Sequence, residues 1–423
     1  MNQKAGLTVL GMLAILAILV VSLLGVTQAK QLHPRHAALK AVSVDTPKRY
    51  LLVHYLPWFE ADPTANKWGW HWTMNHYAPG DVVNGHRAIA SHYYPLIGPY
   101  DSNDPDVIEY HVLLMKLAGI NGAVIDWYGT DNYMDYGTNH RNAQHVAAEI
   151  ARAHMHFAAL YEDEVAATRL VKDGQIPASQ AVAHGQNTME WLQNNWFASP
   201  SYIKLNDKPL FLTFGTRGYY TTNDWNQIFS VLPVQPAYFT ETFPRAPATG
   251  AFCWPAPFGG TQKSFQDLDS FYAGTPKWPS FIAGSYPGFH DIYKEAGVGP
   301  SWGSIDDQNG QTYVQTLTKA LQSNAPIIQI ATWNDWGEGT MIEPSEEFGY
   351  RDLEATQKLV KQYLNPGLPY TPADLQLPLA LYKLRKDPSL APAKKAKLDT
   401  ISGLLFEGKT DKARGMLKEL SGG

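Results

Sequence analysis

The chain has 423 residues, long enough for one large domain with additions, and its formal charge of −5 implies no polyanionic partner and no nucleic acid. Cys253 is the single cysteine, which excludes an intramolecular disulfide framework and a cysteine zinc cluster. The 13 Trp, 23 Tyr and 16 Phe exceed what a core requires, so their positions carry information.

At the N-terminus no charge occurs between Lys4 and Lys30, and Leu7–Val26 is almost wholly apolar. That stretch can span a bilayer. Small residues at Thr27 and Ala29 also suit a cleavage site. Residues 1–30 are therefore read as a secretory signal peptide or an uncleaved signal anchor, with the remainder periplasmic or extracellular. Any contact with the membrane would run through this segment. Residues 31–48 form a polar linker.

From Tyr50 a strand–loop–helix pattern repeats. The expected strands are Tyr50–Tyr55, Gly122–Trp127, His156–Tyr161, Pro209–Phe214, Gln235–Glu241, Ala251–Trp254, Ser280–Tyr286 and Pro326–Trp333. Asp104-Pro105 is a cap followed by proline at the first helical position, and Ile108, His111, Val112, Met115 and Leu117 follow at helical spacing. Further helices are expected over Asn139–Ala153, His184–Trp196, Asp224–Val231 and Gly310–Ser323. Eight strands with intervening helices define an α/β class, a (β/α)8 TIM barrel over 49–365, with a doubly wound sheet as the alternative. Residues 366–423 comprise a Pro-rich linker and a short helical appendage, Leu377–Lys386, Lys394–Glu407 and Asp411–Leu420, with Gly408 between the last two. Nothing in the pattern calls for a second copy, and a monomer is expected.

Barrel function sits at strand C-termini. There the chain places His54, Tyr55 and Trp58, then Trp72; Asp126 and Trp127; Glu162, Asp163 and Glu164; Glu241; and Tyr286. The eighth strand runs into Trp333, Asn334, Asp335, Trp336, Gly337 and Glu338. Two acids three residues apart at the end of a buried strand can share a cleft, and glycoside hydrolysis needs such a pair. Asp335 and Glu338 are the candidate catalytic residues. His54, Tyr55, Trp58, Trp72, Asp126, Trp127, Tyr286, Trp333, Asn334 and Trp336 are candidates for substrate binding. A solvated turn with Asp335 as a helix cap is the plainer alternative. The histidines match no metal-ligand spacing. No phosphate loop or serine elbow is present. No metal and no cofactor is expected.

HYLPWF (54–59) and YYPLIGPYDSNDPDVIEYHVLLMKLAGINGAVIDWYG (93–129) resemble glycoside hydrolase family 99, the endo-α-mannosidases, as does Pro287–Asp291. Trp333–Glu338, WNDWGE, is more similar to family 71, the α-1,3-glucanases, since family 99 carries Glu-Trp-x-Glu there. The resemblance runs from about Tyr50 to Tyr363. It implies a metal-independent, endo-acting (β/α)8 glycosidase for α-linked oligo- or polysaccharide, either α-mannan or α-glucan. By that resemblance Glu338 matches the general acid and Asp335 the second carboxylate, a base on the sugar 2-hydroxyl in family 99. Tyr55 and Trp127 match positions beside the scissile bond. The Arg that follows the seventh strand in the family is replaced by Ile292-Tyr293. Asp335 is one methylene shorter than Glu, which makes room for water and tilts the expectation toward inversion. A non-catalytic carbohydrate-binding or polysaccharide-assembly protein on the same barrel is the competing function. A glycosyltransferase-associated role finds no nucleotide-sugar motif.

Overall fold

The computed structural model describes residues 47–214 and 218–421. Eight parallel strands form the centre: β1 (Tyr50–Tyr55), β2 (Gly122–Trp127), β3 (His156–Tyr161), β4 (Lys208–Thr213), β5 (Ala237–Glu241), β6 (Gly250–Phe252), β7 (Ser280–Ser285) and β8 (Ile327–Ile330). Each pairs with the next, and β8 returns to β1 with Tyr50 opposite Ile327 and Val53 opposite Ile330. That closure makes a barrel and removes the doubly wound alternative. Parallel strands covered on both faces read as continuous apolar runs. β1, β2 and β3 accordingly have no exposed position. The β2–β3 pair starts at Gly122, where a Cβ would stand 1.7 Å from the His156 carbonyl oxygen. Only glycine permits that approach.

The helices pack outside. They are α1 (Pro105–Ala118), α2 (Tyr136–Arg152), α3 (Ala181–Asn195), α4 (Thr222–Phe229), α5 (Gly260–Gly274), α6 (Gln311–Gln322) and α7 (Arg351–Tyr363). α1 begins as its sequence dictates, with the Asp104 carboxylate accepting from the Asp106 N–H and Pro105 at the first position. It ends at Gly119, whose left-handed φ of 85° lets its N–H reach the Lys116 carbonyl. α5 and α7 were not among the helices expected from periodicity. Between β5 and β6 the chain passes through residues 242–249 without a helix.

Three helices follow: α8 (Leu377–Lys386), α9 (Pro392–Phe406) and α10 (Thr410–Ser421). Leu381, Leu398, Ile401, Leu405 and Leu417 join the same buried cluster as Tyr110 and Leu114 of α1. This is why α1 is buried nearly all round. The seam also buries a polar device. Arg385 donates to both Glu109 oxygens, Nε to Oε2 (2.5 Å) and Nη2 to Oε1 (2.9 Å), and the Ser402 hydroxyl donates to Oε1.

The expected signal or anchor at 1–30, and nearly all of the 31–48 linker, lie outside the described residues. Among the described residues no helix is long and apolar enough to cross a membrane.

Removing one partner of a buried ion pair leaves the other charge uncompensated, which costs about 3 kcal/mol or more. Glu109→Ala should therefore lower stability by about 3 kcal/mol, since Asp399 still pairs with Arg385. Denaturant unfolding of Glu109→Ala against the parent measures this.

Candidate active site

The carboxyl end of β8 continues into residues 331–344, a loop held by four separate anchors. The Thr332 N–H donates to the Thr340 carbonyl (2.7 Å), closing the loop on itself. The Trp333 N–H donates to the His54 carbonyl (2.7 Å) and ties it to β1. The Asn334 side chain then brackets Leu56: its Oδ1 accepts from the Leu56 N–H (2.9 Å), and its Nδ2 donates to the Leu56 carbonyl (3.0 Å). Behind the loop, Glu343 accepts from the Tyr100 hydroxyl (2.7 Å) and the Trp336 indole (3.2 Å), and lies 3.0 Å from His111 Nε2.

These anchors fix one turn. The Asp335 N–H donates to Thr332 Oγ1 (2.7 Å), and Asp335 Oδ1 accepts from the Glu338 N–H (2.9 Å). Aspartate bonding backbone N–H groups two and three residues on is the ordinary chemistry of an acidic turn. Here it holds two acids within one turn, 6 % and 7 % exposed.

Burial at that level disfavours both charges, and the two environments differ. Desolvation pushes Asp335 up to about 7, opposed by hydrogen bonds from the backbone of Glu338 and Gly337. Glu338 is held well above the usual carboxylate range, first by burial and then by the charge of Asp335, with a hydrogen bond from Tyr293 acting in the opposite sense. The Tyr293 hydroxyl donates to Glu338 Oε1 (2.9 Å). Both acids are pushed toward the protonated form, Glu338 by burial and by the neighbouring charge, Asp335 by burial alone. Asp335, with backbone donors aimed at it, is the acid fitted to carry charge.

Two further acids interact with the pair. Asp126, at the end of β2, is raised by burial and by the Asp335 charge, and a hydrogen bond from Glu162 at the end of β3 opposes the shift. His54 Nε2 lies 3.0 Å from Asp126 Oδ2, a distance at which an ion pair could form. Burial drives the imidazole down to about 3, so the contact is a hydrogen bond to a neutral ring. Trp254 stands edge-on to His54, with ring centroids 4.8 Å apart.

Strand alternation decides the other expected residues. Successive side chains point to opposite faces. His54 and Asp126 face the barrel axis, so Tyr55 and Trp127 face the helices. The Tyr55 hydroxyl bonds His111 of α1 (2.9 Å). The Trp127 indole donates to His140 of α2 (3.0 Å), and its ring packs against Trp191 and Trp196. This corrects the expectation that both line the cleft. Tyr286 likewise turns outward, its hydroxyl 2.9 Å from Ser264 of α5. Trp72 and Trp336 are buried in one cluster with Phe59 and Tyr100, and Trp333 packs against His111. Those three indoles support the loop from behind, and Asn334 is its clamp. Trp58 is half-buried and stacks on His71 (4.1 Å), one ring away from Tyr128, whose phenol feels Glu162, Asp126 and Asp335. Of the twelve candidates, the structure gathers Asp335, Glu338, Asp126 and His54 into one site, with Trp58 at its side.

Tyr293 was not among the candidates. Its only signal was position, two residues beyond Pro287–Asp291 where the family's arginine was sought. Among the described residues no three His, Cys, Asp or Glu side chains are grouped to hold a metal ion.

A buried acid whose folded pKa is raised binds more protons in the native state than in the unfolded chain between the two values. Its contribution to stability is then present at low pH and lost as pH rises toward the folded value. For Asp335 that window runs from about 4 to about 7. Asp335→Asn keeps an acceptor for the Glu338 N–H and carries no charge. It should be more stable than the parent at pH 8, with the gap closing by pH 4. Urea unfolding of both proteins across that range measures the difference.

Three comparisons bear on the site. Residues 304–356, which contain β8 and both acids, match the family model described as Glycosyltransferase WbsX. Glycoprotein endo-alpha-1,2-mannosidase of Mus musculus is 25% identical over 334 residues, covering 70% of this chain and 68% of that protein. The Rattus norvegicus protein of the same name is 24% identical over 396 residues, 82% of each chain. Among solved structures, the family 99 endo-alpha-mannosidase of Bacteroides thetaiotaomicron superposes with a TM-score of 0.55 at 21% identity, over 75% of this chain and 98% of that one. The structural likeness establishes the shared barrel. In sequence the chain is similar to endo-alpha-1,2-mannosidases, and in fold to a family 99 endo-alpha-mannosidase.

Proposed function

We propose that the chain is an endo-acting glycoside hydrolase for α-linked, mannose-type glycans, with Glu338 as general acid and Asp335 as the second carboxylate. The observation that carries this reading is the division of labour between two buried acids in one turn. The names of the mannosidase relatives supply the substrate class.

The chemistry follows from where the proton sits. Glu338 gives its proton to the glycosidic oxygen as the bond from that oxygen to the anomeric carbon breaks. Tyr293 then steadies the carboxylate left behind, since its hydroxyl already donates to Oε1. Asp335 removes a proton either from an attacking water or from the sugar 2-hydroxyl. The first route inverts the anomeric centre and the second retains it. The short side chain at 335, held back by two backbone N–H groups, favours the water. Asp126, coupled to the Asp335 charge and bonded to His54, would tune the pair from within the barrel, since both side chains are buried. The natural substrate would be an external polysaccharide, reached by a monomer exported through Leu7–Val26 and anchored by it if that segment is retained.

A polysaccharide-assembly role is the second reading, because the match over 304–356 is to a family described as a glycosyltransferase. Incubation with α-mannan and α-1,3-glucan, followed by product analysis, separates the two. Shortened glycans support hydrolysis; binding without cleavage supports the second reading.

Glu338→Gln keeps size and polarity but has no proton to give. Turnover should fall by at least about a hundredfold with glycan affinity retained. Steady-state rates and calorimetric binding of the variant test this, and near-parental turnover would reassign the acid to Glu162 or Glu241. In the parent, activity should be lost as pH falls through about 7, when Asp335 takes up its proton. Proton NMR of the first product fixes the stereochemistry: initial β-anomer is expected, and initial α-anomer would place Asp335 on the 2-hydroxyl.

A further inference from the structure

The segment after β7 carries an aromatic surface that the catalytic reading leaves unused. Trp302 is 43% exposed and Phe258, in the segment after β6, is 62% exposed. Their rings lie 6.3 Å apart and 33° from parallel. Two large apolar side chains left open side by side need an explanation that single exposed residues do not. The structure also builds this pair deliberately. A Cβ at Gly303 would stand 2.5 Å from the Pro257 carbonyl oxygen, and its φ is 119°, so glycine there is what lets the two segments meet.

The pair is rigidly tied to the acid. Buried Asp291 accepts from the Trp302 N–H (2.8 Å) and the Ser301 hydroxyl (3.0 Å) through Oδ2, and from the Tyr293 N–H (3.2 Å) through Oδ1. Tyr293 is the residue that donates to Glu338, and its ring meets Trp302 edge-on at 5.2 Å. One carboxylate thus positions both the partner of the acid and the exposed indole.

We infer that Trp302 and Phe258 form a sugar-binding platform on the leaving-group side of Glu338, taking one pyranose ring of an α-linked glycan. This rests on the assignment of Glu338 as general acid. An acid that protonates the glycosidic oxygen faces the departing sugar, so a surface reached from Glu338 through Tyr293 lies on that side. The C–H face of a pyranose is apolar and flat, and its hydroxyls stay at the rim. It therefore suits an open indole backed by a second ring.

Two measurements test the platform separately from the chemistry. The first is calorimetric binding of an α-mannan-derived oligosaccharide to Glu338→Gln and to the same protein carrying Trp302→Ala. A loss of roughly tenfold in affinity is expected, with Trp302→Phe recovering part of it. Equal affinity in the two proteins overturns the platform whether or not the chain is a hydrolase, and no binding to Glu338→Gln overturns it too. The second compares kcat/KM of Trp302→Ala on the oligosaccharide and on a glycosyl fluoride with no sugar on the leaving side. The ratio of the first to the second should fall roughly tenfold against the parent. An unchanged ratio overturns the leaving-side placement. Weaker binding by Trp302→Ala in a parent that cleaves neither substrate supports the platform while removing the hydrolase.

Discussion

Everything at this site depends on keeping two carboxylic acids out of water within one turn. A carboxylate in a poorly solvated pocket is unstable, and the protein can respond by protonating it or by surrounding it with donors. Here the two acids divide these responses unequally. Asp335 is given backbone N–H groups, and Glu338 is left to hold a proton beside that charge. The pattern needs a loop that cannot relax, because small shifts would let water in or separate the acids. The bracket of Asn334 on Leu56, the Trp333 bond to His54 and the Glu343 cluster behind Trp336 supply that stiffness. Residues that never face the cleft therefore control its electrostatics.

The same constraint explains the outer structure. A barrel with its functional end built on long loops needs those loops braced from outside. α1 provides His111 to the Glu343 cluster on one side and receives Arg385 through Glu109 on the other. The C-terminal helices are thus mechanically continuous with the support behind the acidic turn. A buried ion pair is a poor source of net stability. It does join α1 to α8 at Glu109 and Arg385.

Much of the barrel was legible because buried parallel strands have an unmistakable composition. β1, β2 and β3 match the expected bounds to the residue, and the Asp104-Pro105 signal places α1 correctly. What failed was finer. α5 opens on a glycine pair with positive φ, Gly259 and Gly260, which hides its start, and in α7 the buried apolar positions are only Leu353, Leu359 and Val360 among polar neighbours. Within the site, the acids were readable as a pair because spacing of three in a turn constrains them. The aromatic residues were not, because a residue at a strand end can point either way, and one step in sequence reverses it. Tyr55 beside His54 and Trp127 beside Asp126 show this directly. Tyr293 and Trp302 lie in irregular chain, where no period relates position to direction.

The most direct test is a carboxyl-carbon NMR titration of the parent protein and of Asp335→Asn, following the Glu338 resonance. The account predicts that Glu338 stays protonated through neutral pH in the parent. It also predicts that the midpoint moves down, without reaching that of a solvated glutamate, once the neighbouring charge is removed. A Glu338 that titrates like a solvated carboxyl group in both proteins would contradict it.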